Sequence, residues 1–295
     1  SVGEIIWDVY PEKQVIGGAP LNFAAHAARL GAESSLLSAV GEDALGDAAL
    51  RALENFGVGT AWVGRNARPT GQCTVSLDAN GVPHYDVLRD MAYDHIRLTP
   101  QAQADIRASR FDALYFGTLI QRAPESRAAL RQIAADCRPE TVFCDVNLRP
   151  GCYDAESVRF CLEQATVLKV SMEEEPALRA LGLYAVTGDT PCGIARALAE
   201  RFGQLRTVLL TLGKDGAYGY RTENGEDCFQ PAVGERVVST VGAGDSFSAA
   251  FLTAHLSGEP LADCMRKAAL VSGFVVAHTE AVPEYPASLY DALRK

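Results

Sequence analysis

The sequence predicts an α/β fold in which helices cover both faces of a parallel sheet and a small antiparallel flap stands off it. Three observations carry this. Short β-branched runs alternate with helical segments along most of the chain. Residues 70–88 break that rhythm with period-two alternation around an Asn-Gly dipeptide, a hairpin signal. The last third is mostly helical.

In chain order, Val2–Trp7, Ser35–Val40, Ala113–Phe116, Thr141–Cys144, Ala165–Val170 and Thr207–Thr211 read as buried strands, each bounded by a turn signal or an acidic residue. Between them Leu21–Leu30, Leu45–Phe56, Ser126–Cys137, Ala155–Gln164, Glu173–Leu181 and Ile194–Phe202 carry helical periodicity. Thr70–Leu77 and His84–Leu88 flank Asp78-Ala79-Asn80-Gly81 and form the hairpin, with Lys13–Gly17 as its partner strand. Asp245–Leu256 and Leu261–His278 are the long C-terminal helices. No linker, repeat or low-complexity stretch divides the 295 residues, so one domain over 1–295 is expected, with a β lid formed by about residues 9–18 and 68–98.

Composition excludes several classes. The net charge of −10, without a clustered Lys/Arg stripe, leaves no electrostatic footprint for nucleic acid. No apolar run approaches a membrane span, and Ser1 to Asp8 carry no export signal pattern. The eight cysteines include no Cys-x-x-Cys pair and no His at metal spacing; they read as free thiols in a reducing compartment, the cytoplasm.

The most informative string is Ser239-Thr240-Val241-Gly242-Ala243-Gly244-Asp245-Ser246-Phe247. Two glycines one residue apart permit a tight turn and leave the amides unobstructed. A helix follows, so those amides stand at its N-terminus, where N–H donors and the helix dipole stabilise an anion. Asp245 reads in two ways: as the cap of that helix, or as a base taking a proton from an attacking hydroxyl. No P-loop, dinucleotide fingerprint, nucleophile elbow or His-Glu-x-x-His occurs. A second string, Gly17-Gly18-Ala19-Pro20-Leu21-Asn22, again exposes backbone at a strand-to-helix junction, with Asn22 suited to vicinal hydroxyls. Asp8 at the end of the first strand is either a turn cap or a ligand at a strand end.

With these strings in place, the sequence resembles the ribokinase/PfkB carbohydrate kinases, and among them the bacterial fructokinases, over essentially its whole length. Gly17–Ala24 and Thr240–Phe247 resemble the two family signatures. Pro69-Thr70-Gly71, Phe116-Gly117-Thr118-Leu119, Asp145-Val146-Asn147-Leu148-Arg149 and Thr211-Leu212-Gly213-Lys214-Asp215-Gly216 fall between them in the family's order.

The resemblance implies a ribokinase-like three-layer α/β/α sandwich with a small antiparallel β lid. It implies a kinase moving the γ-phosphate of ATP to a primary hydroxyl of a small sugar. D-fructose leads as acceptor, 2-keto-3-deoxygluconate and ribose are alternatives, and a non-catalytic sensor on the same scaffold is the contrasting class. Carried onto this chain, Asp245 is the base, and the amides around Gly242, Ala243 and Gly244 form the anion hole. Asp8, Gly17, Gly18, Asn22, Gln121 and Arg149 are expected at the sugar. Ser171, Thr211, Gly213 and Gly216 are expected at the nucleotide, together with Gly242 and Gly244, and Glu174 at Mg²⁺ through water. A homodimer through the lids is also implied. Three departures stand out. Ser239 replaces the family's usual Asp in a loop associated with K⁺, Ser171 replaces an Asn, and Thr279-Glu280-Ala281 stands where a Gly-Ala pair is common.

Overall fold

The computed structural model describes residues 1–77, 83–137, 139–234 and 236–295. The turn Asp78–Gly81 expected at the hairpin tip lies outside the described residues. The chain divides into two compact units: Ser1–Ser109 with Ile120–Cys137, and Arg110–Leu119 with Arg138–Lys295.

The first unit holds a four-stranded sheet in the order β2-β1-β5-β6, from β1 (Ile6–Val9), β2 (Gln14–Gly17), β5 (Gly71–Leu77) and β6 (Pro83–Val87). Strands β1–β2 and β5–β6 pair antiparallel as the hairpin pattern implies, but β1 and β5 run parallel. Strand β1 therefore belongs to this small sheet, and it starts later than expected because Val2 makes only an isolated bridge to Leu37. A parallel pair, β3 (Ser38–Gly41) with β4 (Val63–Asn66), and helices α1 (Ala19–Arg29), α2 (Ala44–Asn55), α3 (Pro100–Ala108) and α4 (Pro124–Cys137) complete the unit.

Local chemistry explains the Pro69-Thr70-Gly71 string. Asp43 caps α2 by accepting from Gly46 N (2.8 Å), and it also accepts from Thr70 Oγ1 (2.6 Å) and Thr70 N (2.8 Å). Thr70 Oγ1 in turn accepts from Gly41 N at 2.9 Å. Gly71 has no alternative: a Cβ there would meet Ile5 O at 2.2 Å and the Tyr93 ring at 2.8 Å. Past the hairpin, buried Arg122 forks onto Asp94 (2.7 and 2.8 Å) and donates to Leu88 O (2.6 Å), pinning the end of the flap to the 3₁₀ turn Ala92–His95.

The second unit is a six-stranded sheet in the order β12-β11-β10-β9-β8-β7. Its strands β7 (Ala113–Phe116), β8 (Thr141–Asp145), β9 (Val167–Ser171) and β10 (Thr207–Thr211) are parallel, and β11 (Ala217–Arg221) and β12 (Asp227–Gln230) extend it antiparallel. Its helices are α5 (Ala155–Gln164), α6 (Glu175–Ala180), α7 (Pro191–Arg201), α8 (Ala243–Leu256), α9 (Leu261–Val275) and α10 (Ala287–Leu293).

Strand alternation assigns the helices to faces. On β8, Phe143 meets Phe251 of α8, while its neighbour Cys144 meets Cys161 of α5. On β11, Gly219 backs onto Met265 of α9, while Arg196 of α7 lies over the Tyr220 ring. Helices α8 and α9 pack together, so they share one face and α5 and α7 cover the other. This is the three-layer α/β/α arrangement that the alternating pattern predicts.

Thr70→Val keeps the shape of the threonine but deletes the hydroxyl joining Asp43 to Gly41, and is expected to cost about 1–3 kcal/mol in urea unfolding. Partial burial pushes the Asp43 carboxyl up, yet the bonds from Thr70 and the backbone hold it below the ordinary value. Its contribution is therefore present at neutral pH and lost as pH falls through the depressed folded value. In Asp43→Asn, this part of the acid-side loss of stability should vanish from the pH titration.

Candidate active site

Helix α8 begins at Ala243, with Gly242 as its N-cap in the left-handed region (φ 80°). Asp245 is therefore the third residue of the first turn and not the cap, which settles one of the two readings of the sequence. Gly242 is obligatory, because a Cβ would lie 2.6 Å from Ala281 O, so the departure at Thr279-Glu280-Ala281 buttresses the turn. The first-turn amides have no intrahelical acceptor. Ala243 N donates instead to Thr240 O at 3.3 Å, and Ser246 N closes the first turn onto Gly242 O at 2.9 Å. Asp245 is half-buried, within reach of solvent beside those amides.

Sheet register brings further residues under this turn. Asp145 pairs with Lys169 across β8 and β9, and Ser171 with Thr211 across β9 and β10. Since Phe143 faces α8, so do Asp145, its register partner Lys169, and with them Ser171 and Thr211. Asp145 and Lys169 are both buried (1% and 6% exposed) and bonded through both carboxylate oxygens, Nζ donating at 2.8 and 2.9 Å. Burial pushes the Asp145 carboxyl up, while two short bonds from Nζ pull the other way and mark the pair as ionised. Burial also works against the Lys169 charge, but Asp145, Glu174 and Asp245 together hold its pKa above the ordinary lysine value. Ser248 of α8 places its hydroxyl 3.2 Å from Asp145 Oδ2 and 2.9 Å from Gly244 O.

Glu174 clamps two strand ends. One carboxylate oxygen accepts from Leu148 N (2.5 Å) and the other from Ser171 N (2.8 Å). The chain reaches Leu148 through Asn147, a non-glycine residue in the left-handed region (φ 40°). The Ser171 hydroxyl accepts from Glu174 N at 3.2 Å, doing locally what an amide side chain would do. Among the described residues, no group of three or more His, Cys, Asp or Glu could hold a metal ion. At the C-terminal end of β10, Gly213 (φ 57°) and Gly216 (φ 122°) shape the following loop; a Cβ on Gly216 would meet Gln230 O at 2.2 Å. The Ser239 hydroxyl, standing where a carboxylate was expected, accepts from Val241 N at 3.2 Å.

In the first unit, Asp8, Gly17 and Asn22 converge. A side chain on Gly17 would start 3.9 Å from Asp8 Oδ2 and 4.0 Å from the Asn22 amide, so the missing Cβ leaves room between a carboxylate and an amide. Asp8 lies within β1, paired with Val15 and Cys73, and is not a turn cap. Gly18 is the N-cap of α1 (φ 112°), held against Glu4 O. Gln121 is buried in the 3₁₀ turn Leu119–Gln121, and Arg149, in the second unit, is exposed.

Sequence reasoning assigned no role to Lys169, Asp145 or Ser248. A signal existed: Lys169 interrupts an otherwise apolar strand, Val167–Ser171, and a lysine buried there requires a carboxylate.

Residues 9–287 match the pfkB family carbohydrate kinase profile. The ATP-dependent 6-phosphofructokinase of Thermoanaerobacterium thermosaccharolyticum is 27% identical over 293 residues, 95% of this chain and 86% of that protein. The fructokinase of Klebsiella pneumoniae is 30% identical over 293 residues, 94% of this chain and 90% of its own. A Vibrio cholerae fructokinase structure with fructose, ADP and calcium bound aligns with a TM-score of 0.82 at 22% identity, over 99% of this chain and 97% of the other; that likeness shows the fold.

Glu174→Gln tests the clamp. An amide cannot accept with both its heavy atoms, so one of Leu148 N and Ser171 N loses its partner, and urea unfolding should register a loss of about 1–3 kcal/mol. Calorimetry should show weaker ATP binding in the same variant.

Proposed function

The chain belongs to the pfkB family of carbohydrate kinases and is an ATP-dependent sugar kinase; on that premise we propose that Asp245 is its base and a small neutral sugar, D-fructose first, its acceptor. The observation that carries the reading is the place of Asp245 in the first turn of α8, half-exposed beside the Gly244 and Asp245 amides. The acceptor oxygen attacks the γ-phosphorus of ATP, a new P–O bond forms, and the bond to the β,γ-bridging oxygen breaks. The electron pair of that bond leaves with ADP, and the hydroxyl proton passes to the Asp245 carboxylate. The first-turn amides, assisted by the helix dipole, meet the charge on the transferring group. Glu174 would hold Mg²⁺ through water, and the ion, when bound with the nucleotide, would neutralise phosphate charge. Ser171, Thr211, Gly213 and Gly216 border the nucleotide.

For the acceptor, the carboxylate of Asp8 beside the amide of Asn22 suits vicinal hydroxyls, and a sugar acid or sugar phosphate would meet repulsion there. This supports a neutral sugar over 2-keto-3-deoxygluconate. Arg149, exposed in the second unit, supports the charged alternative if it contacts the acceptor. Eight free thiols support a cytoplasmic setting. The exposed edge strand β6, carrying Tyr85 at 42% exposure, supports a dimer through the small sheets.

Asp245→Asn should lose about 10³-fold in turnover while ATP still binds by calorimetry; unchanged turnover overturns the base assignment. In a coupled ADP assay over fructose, ribose, 2-keto-3-deoxygluconate and fructose 6-phosphate, fructose is expected to give the highest kcat/KM. A different leader displaces the acceptor assignment alone. Sedimentation equilibrium should report twice the 31.5 kDa chain mass, and a monomer would remove the dimer.

A further inference from the structure

Lys169 stands where no apolar account of the sheet explains it. A buried ion pair contributes little to stability relative to apolar residues of similar volume, so stability alone gives no reason for one in the centre of β9. Its place does. The ammonium nitrogen lies 3.2 Å from where a side chain on Gly244 would begin, so a methyl group there would press on it. Asp145 grips Nζ through both oxygens from behind, and the Ser248 hydroxyl spans from Asp145 to the Gly244 carbonyl. Lys169, Asp145 and Ser248 thus tie the middle of β9 and the end of β8 to the first turn of α8.

We propose that Lys169 is a positioning residue of the transfer reaction: its buried ammonium, anchored by Asp145 and seated against Gly244, fixes the anion-binding turn and sets a positive charge behind it. The proposal rests on the reading of Asp245 as the base. It answers a difficulty that reading creates, because a carboxylate beside an anion hole repels the phosphoryl group unless a cation offsets it. The charged groups acting on Lys169 are Asp145 from β8, Glu174 beyond the end of β9 and Asp245 from α8, all negative. Lys169 is the positive centre of that set, and it is seated against the turn itself. Being buried, it serves from behind the backbone and does not touch the substrate.

The test separates fold from function with paired variants of the full chain. Lys169→Met leaves Asp145 buried and uncompensated, so the thermal midpoint should fall together with kcat. Adding Asp145→Asn removes that charge and should restore the midpoint. In the double variant kcat should stay about 10–100-fold low. The acid limb of its kcat–pH profile should lie higher, since the lost cation acts on Asp245 whereas the principal charged neighbours of the lost Asp145 carboxylate are Lys169 and Glu174. KM for ATP and for the sugar should be unchanged. A double variant with the parent kcat and an unmoved acid limb overturns the proposal, since a purely structural pair would behave that way. Gly244→Ala reads the same coupling with the pair intact, by pushing a methyl group against Nζ; it should lower kcat and raise the acid limb, and an unchanged profile counts against the proposal even if the double variant fails to fold. Asp245→Asn run alongside distinguishes the failures: if it keeps turnover, the base reading is wrong, whereas an inactive Asp245→Asn beside a fully active double variant sinks only the role of Lys169.

Discussion

A charge buried at the mouth of a sheet survives only if every polar atom it carries finds a partner, and the second unit is arranged around that requirement at Asp145 and Lys169. Register places the two residues side by side, both oxygens of the carboxylate engage the ammonium, and Ser248 reaches in from α8. Gly244 suits the pair because a side chain there would begin 3.2 Å from Nζ and press on it, and Gly242 turns the chain in the left-handed region against Ala281. The two glycines thus have separate duties: Gly242 fixes the direction of the helix, and Gly244 its depth against the sheet.

The same economy recurs wherever a carboxylate meets exposed backbone amides. Glu174 spends both oxygens on Leu148 and Ser171, tying together the chain beyond β8 and the end of β9. Asp43, in the first unit, spends both on Gly46 and Thr70. In each case a carboxylate meets amides that regular structure leaves unsatisfied, so the motif is a local folding device whatever else it does. Asp245 differs in kind. The cap position three residues before it is taken by Gly242, which has no side chain to offer, so no side chain caps the start of α8.

The parts legible in the sequence were those fixed by local pattern. Alternation of β-branched and helical runs gave the parallel strands of the second unit, and the two closely spaced glycines marked the start of α8 to within two residues. Those two residues carry the ambiguity: they decide whether Asp245 is the cap or a residue of the first turn, and hydrophobic periodicity does not resolve helix starts that finely. Strand β1 was misplaced into the large sheet because a short apolar run does not say which sheet it joins; its parallel pairing with β5 depends on residues more than sixty positions away. Lys169 went unread for a related reason. Its partner lies twenty-four residues earlier and its neighbour Gly244 seventy-five later, and only the folded register brings the three together.

The residues proposed for phosphate chemistry all lie in the second unit, and those proposed for the acceptor lie in the first, with Arg149 the exception. This division bears on how one scaffold serves several sugars. The transferring phosphoryl group is the same for every acceptor, so the groups proposed to meet it, backbone amides and a fixed cation, need not differ with the sugar. An acceptor is distinguished by its hydroxyls and charge, which hydrogen-bonding side chains can read, the role proposed for Asp8 and Asn22. A carboxylate at position 8 favours a neutral polyol and penalises an anion, whereas an exposed arginine at 149 does the reverse. The class of acceptor is thus a matter for the side chains proposed to meet the sugar, since the phosphoryl group is common to every acceptor.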